Sequence, residues 1–200
     1  MADKRTEDQI PLGSGKFYMQ MFADAMPTIE TLFVEENRVG YIQGGASVEY
    51  NEETHEEKDD LGIVSKIITV AEEALFKCGL ITWNGNTLQK VIDRCKVITD
   101  DKGRRVAKIG GHGNAKNQYY AIGFHHEDEE EGDIWCMLKG RANGSLSFAF
   151  ATDAGSKIEP TFKAMPHDKD GTLIEYIEET GAAAAAAEAS EEEEESGEEA

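Results

Sequence analysis

The chain reads as mainly β, an antiparallel sandwich or partly open barrel flanked by one α-helix, and three stretches carry that reading. Ile158, Pro160, Phe162 and Ala164 alternate with Lys157, Glu159, Thr161 and Lys163, the period of two that buries one face of a sheet. Leu61, Ile63, Ser65, Ile67 and Thr69 oppose Val64, Lys66, Ile68 and Val70 in a β-branched run that favours a pleated surface. Against these, a single segment keeps a helical period: Leu88, Val91, Ile92 and Cys95 recur at i, i+3, i+4 and i+7.

Taken in order, residues 1–9 form a polar arm, 10–180 a β domain, and 181–200 an alanine- and glutamate-rich tail of low complexity, expected to be disordered. Lys16 to Phe22 is apolar on nearly both sides, with Phe17, Met19 and Met21 on one. This predicts a strand buried on both faces or covered by a neighbouring subunit. Thr28 to Glu36 fits either a short helix capped by Thr28 or an irregular connection. Ala46, Val48 and Tyr50 predict a strand, followed by Glu52 to Asp60, where eight residues are charged or His; this stretch is expected to project as a loop. The run after it is expected to stay extended through Ala71 to Leu80.

Asn84-Gly85-Asn86 then breaks the chain, and Asn86 or Thr87 is expected to cap the helix. Val97 to Thr99 and Val106 to Ile109 flank Asp101-Lys102-Gly103 as a short hairpin. Strands at Gln118 to Phe124 and Ile134 to Lys139 enclose an acidic loop, and both carry apolar residues on two sides. Leu146, Phe148 and Phe150 mark another strand. Pro166 and Asp170-Gly171 turn the chain between the strand at Lys157 and a final one at Thr172 to Ile177, so the pair reads as a hairpin.

Forty acidic against twenty basic side chains give a formal charge of −20, and only eight of the acidic residues lie beyond Ala187, so the body itself is acidic. Such a chain repels phosphate backbones, since nucleic-acid binding draws on clustered Lys and Arg. Lys102, Arg104, Arg105 and Lys108 do cluster, on an exposed hairpin. Cys78, Cys95 and Cys136 are odd in number and sit in apolar patterns, as buried thiols in a reducing cytoplasm would. No apolar run suits a signal peptide or a membrane span, and a soluble protein is expected.

No motif assigns chemistry. Gly13-Ser14-Gly15-Lys16 lacks the earlier glycine and the following Ser or Thr of a phosphate loop. Asp168-Lys169-Asp170-Gly171 would place Pro166 and Ile177 at the first and last ligand positions of a calcium loop, where neither offers a side-chain oxygen. His125 and His126 precede acidic residues, but neighbours on a strand point to opposite faces. Neither catalytic nor metal residues are assigned, no cofactor is implied, and no enzyme is expected.

Three blocks in order, Gly40 to Gly62, Cys78 to Cys95 (CGLITWNGNTLQKVIDRC) and Lys157 to Glu179 with its D-G turn, resemble the tail tube (major tail) proteins of phages and prophages of Gram-positive bacteria. The likeness spans roughly residues 10–179. It implies a structural virion protein, assembled in the host cytoplasm into stacked, hexameric rings that conduct DNA. It also implies partners: a tape measure protein inside the tube, tail terminator and tail tip proteins, and a sheath where the tail contracts. DNA would pass without specific binding. By resemblance, the acidic stretch would touch the neighbouring subunit or ring through Glu52, Glu53, His55, Glu56, Glu57, Lys58, Asp59 and Asp60, and the two-sided apolar pattern adds Phe17, Met19 and Met21 as candidate interface residues. Charge alone supports a rival, an acidic module that mimics DNA and occupies a basic protein; a metal-dependent enzyme is a weaker one.

Overall fold

The structure, a computed structural model, describes residues 10–61, 63, 65–142 and 157–180. The terminal arm, the tail and the strand expected at Leu146 to Phe150 lie outside these residues. Ten strands are described: β1 (Lys16–Met21), β2 (Arg38–Gly40), β3 (Ile42–Lys58), β4 (Ser65–Leu80), β5 (Cys95–Thr99), β6 (Arg105–Ile109), β7 (Tyr120–His126), β8 (Ile134–Ala142), β9 (Thr161–Met165) and β10 (Glu175–Glu178). Helices are few: α1 (Ile29–Leu32), α2 (Gly85–Val91) and two short 3-10 turns. The fold is therefore mainly β and antiparallel, as the alternation predicts.

One sheet runs in the order β2-β1-β7-β8-β9-β4-β3, and β5 pairs with β6 in a second. The two ends of the large sheet, β2 and β3, are consecutive in the chain and separated by Tyr41 alone. No ladder joins them, so the sheet curls without closing into a barrel. Inside the curl, Phe17, Phe76 and Phe162 meet as a fully buried aromatic cluster. Leu88, Val91 and Ile92 of the helical segment close this core at one end, together with Cys95.

That helix is shorter than its apolar period suggests. Asn84, rather than Asn86 or Thr87, is the cap: its side-chain oxygen accepts from the backbone N–H groups of Asn86 (2.8 Å) and Thr87 (3.3 Å), satisfying two donors that an α-helix leaves open. Cys95 keeps its inward direction but belongs to β5. The Arg141 guanidinium ties the segment after α2 to β8, donating to Asp93 at 2.7 Å and to Asn117 at 2.8 Å.

The strands with two apolar sides are buried on both faces by their own chain, the first of the two alternatives that the pattern at Lys16 to Phe22 leaves open. On one side Phe17, Met19, Ile122 and Leu138 enter the main core. On the other, Tyr18, Ala121 and Met137 pack under Leu32 and Phe33, with Ile177 of β10 alongside. The short helix α1 is the lid that the mixed signals of Thr28 to Glu36 conceal. Its tight seat requires Gly123, where a Cβ would come within 2.8 Å of the Phe33 ring and 2.9 Å of Leu32.

Two further expectations change. The segment Lys157 to Glu179 turns at Gly171 (φ 82°), but its strands do not pair with each other. β9 and β10 both run antiparallel to β8, one along each half, and residues 166–174 form an excursion between them. A strand such as β8, with a long open edge, offers backbone partners to both pieces, and Leu173 and Ile174 use the excursion to reach the core. The acidic stretch is likewise no loop: Glu52 to Lys58 continue β3 and pair with β4 out to Ser65.

Candidate functional site

The feature that the body's packing leaves unexplained is the ribbon made by the outer halves of β3 and β4. Near the body the ribbon is half-buried, with Val48 paired to Phe76 and Tyr50 to Ala74. Beyond Tyr50 and Glu72, every described residue of both strands is exposed. Eight residues, Asn51 to Lys58, at a rise of about 3.4 Å each carry the arm roughly 25 Å from the body.

Two edges of this arm are open. β3 ends the sheet order, and β4 meets β9 only from Leu75 to Lys77, so outward of that point neither strand has another partner among the described residues. A two-stranded ribbon without a third layer is marginal in water, and open edges invite pairing with another chain. The arm also exposes β-branched residues, Ile67 at 63% and Val70 at 52%.

The residues singled out from the sequence fall into two groups. Glu52, Glu53, His55, Glu56, Glu57 and Lys58 lie on β3 of the arm, and Asp59 and Asp60 lie at its tip, all exposed. Local pairs order several of them: Lys58 Nζ lies 2.9 Å from Glu56 Oε2, and His55 Nε2 lies 2.8 Å from Glu57 Oε1. Phe17 and Met19 do not join this group. They are buried in the core, the inward side of a strand whose other face is also covered, so neither offers surface to a neighbour. Met21, at the end of the same strand, is exposed.

Register gives the arm distinct faces. Glu52 stands opposite Glu72, and on the same side of β3 come Thr54 opposite Thr69 and Glu56 opposite Ile67. His55 opposite Ile68 and Glu57 opposite Lys66 form the reverse face. Between Glu53 and Thr54 the register shifts, because Val70 is an extra residue on β4. That bulge puts Ile67, rather than Ile68, on the side of Glu72, the reverse of what unbroken alternation along β4 would give. At the base, the Tyr50 hydroxyl donates to Glu52 Oε1 at 2.7 Å, and this bond to a carboxylate pushes the phenol up to about 12. Lys77 clamps Glu49 with two bonds of 2.8 Å, holding that carboxyl below its ordinary range.

Elsewhere the polar groups serve structure. Asp168 Oδ1 accepts from the N–H groups of Asp170 and Thr172, so the carboxylate of the calcium-like motif caps its own turn, and the Thr172 side chain and backbone, with the Asp170 N–H, hold it low. His125 hydrogen-bonds Asp133 at 2.7 Å and stacks on Trp135, whereas His126 turns to the other side and meets the Ser14 carbonyl. Burial pushes the Cys78 thiol up to about 12 and raises Cys95 and Cys136 as well, which makes all three poor nucleophiles. Among the described residues, no group of three His, Cys, Asp or Glu side chains is placed to hold a metal ion, and no helix is long and apolar enough to cross a membrane. No protein-family model matches the chain, and no curated protein matches it.

Proposed function

We propose that this chain is a structural, self-assembling protein of the tail tube kind, whose copies join into hexameric rings that stack as a hollow conduit for DNA in a phage tail. The observation that carries this reading is the β3–β4 arm: about 25 Å of exposed ribbon with two open edges and exposed β-branched residues. An isolated subunit gains nothing from such an arm, whereas a ring or stack covers it. The three sequence blocks that resemble tail tube proteins support the same reading, and one of them, Gly40 to Gly62, contains the acidic strand of the arm.

The role in ejection is passive. The body is acidic well beyond its tail, and an acidic wall offers a phosphate backbone no gain from counterion release, so DNA passes without sticking. On this reading the partners are other copies of the chain, a tape measure protein, tail terminator and tip proteins, and a sheath in a contractile tail, with assembly in the host cytoplasm and residence in the virion. Negative-stain microscopy of the purified full chain at high concentration is the test. Rings or tubes are the expected result; a protein that stays strictly monomeric, alone and with added tail tip components, overturns it.

A further inference from the structure

The arm carries eight acidic side chains against two basic ones from Asn51 to Glu73. The opposite balance occurs once in the described body: from Arg94 to Ile109 there are six basic side chains and two acidic. That second segment is the β5–β6 hairpin. Its inner face, Cys95, Val97 and Ala107, packs on the core. Its outer face is free, with Lys96 directly opposite Lys108 and, one pair along, Ile98 opposite Val106, both more than a third exposed. The two acidic residues do not cancel this charge evenly, since Asp100 is committed to the turn, accepting from the backbone of Lys102 and Arg104 and from Arg104 Nε.

Arm and hairpin are thus counterparts. Each is a two-stranded ribbon with like charges directly opposed, Glu52 with Glu72 on one and Lys96 with Lys108 on the other. Such pairs are unfavourable alone and favourable when brought together. Each also exposes β-branched residues beside its charges, Ile67 on the arm and Ile98 with Val106 on the hairpin. Both are exposed in the same chain, so neither satisfies the other within one subunit.

Resting on the tube reading above, we infer that the Glu52/Glu72/Ile67 face of one subunit's arm docks on the Lys96/Lys108/Val106 face of the β5–β6 hairpin of a second copy. The contact is heterologous, using two different patches, and therefore propagates from copy to copy around a ring or along a stack.

Charge reversal with complementation tests it. One full-length variant carries Glu52→Lys, Glu56→Lys and Glu72→Lys; the other carries Lys96→Glu, Lys102→Glu and Lys108→Glu. Far-UV circular dichroism and thermal midpoints first establish that each is folded, which the exposure of all six positions favours. Each variant alone is expected to need about tenfold more protein to form rings or tubes than the unsubstituted chain, by sedimentation and microscopy, because its arm and hairpin now repel. An equimolar mixture is expected to assemble again, since each variant's arm then meets the other's hairpin. The inference is overturned if either folded variant assembles like the unsubstituted chain, or if the mixture does no better than its parts. Failure of the unsubstituted chain itself to assemble is a different outcome, and it removes the tube reading on which the contact rests.

Discussion

The Phe17 ring lies 5.3 Å, centroid to centroid, from the Phe76 ring, although β7, β8 and β9 stand between their strands in the sheet. Only a sheet curled back on itself brings β1 and β4 face to face. Phe162, 5.7 Å from Phe17 and 6.2 Å from Phe76, completes the contact.

Truncation within this cluster is costly. Phe76→Ala removes a fully buried ring and leaves a cavity between two sheet walls that cannot both move in, so a loss of about 3–5 kcal/mol is expected. Urea unfolding monitored by the two tryptophans measures it. A change below about 1 kcal/mol contradicts the curl described.

The lid over the second face depends on Gly123. Its substitution by Val forces Phe33 and Leu32 outward, since even a Cβ meets them below 3 Å. Overpacking of this kind costs about 1–3 kcal/mol. The expected signature is faster amide exchange across Ile29–Leu32 with the core strands still protected, and uniform protection throughout counts against it.

Acid should loosen the β5–β6 turn before the core. The Asp100 carboxyl is held below its ordinary range, chiefly by the backbone and side chain of Arg104. A folded pKa below the unfolded one means the contribution is complete above pH ~3.9 and fades as pH falls through the lower folded value. Asp100→Asn should remove that acid-sensitive step while leaving the hairpin formed at neutral pH. Chemical shifts of Gly103 and Arg104 from pH 6 to 2 report it, and identical titrations in both proteins would refute the assignment.

Thiol chemistry separates burial from accident. With Cys78 pushed up to about 12 by burial, an alkylating reagent at pH 8 should leave it unmodified in the folded protein and modify it in urea. Mass spectrometry of the labelled peptides decides; rapid native labelling of Cys78 would place β4 outside the core.

At the arm, Glu72→Gln relieves the opposition to Glu52, and like charges directly across a ribbon cost up to ~1 kcal/mol. The outer pairs should then exchange their amides more slowly in the isolated subunit. Unaltered exchange would mean that the two carboxylates already avoid each other.

The alternation at Ile158 to Ala164, the β-branched run ending at Val70, the extension through Leu80 and the β5–β6 hairpin were all legible in the sequence, because period, propensity and turn chemistry act between near neighbours. The acidic strand looks like a loop in the sequence for a related reason: Glu52 to Asp60 is too charged for a buried sheet, yet an exposed ribbon has no core to exclude charge, and β4 supplies the backbone partners. The helix cap is Asn84, two to three residues before the expected Asn86 or Thr87, because all three residue types can cap and local geometry chooses among them. Three matters depended on contacts far apart in the chain. β9 and β10 share one edge of β8 instead of pairing together, Leu32 and Phe33 cover the outer side of β1 and β7, and Phe17 and Met19 are spent inside rather than offered to a neighbour. Side-chain pattern tells which residues seek cover; which surface provides it is set by how the sheet curls, and that is a property of the whole chain.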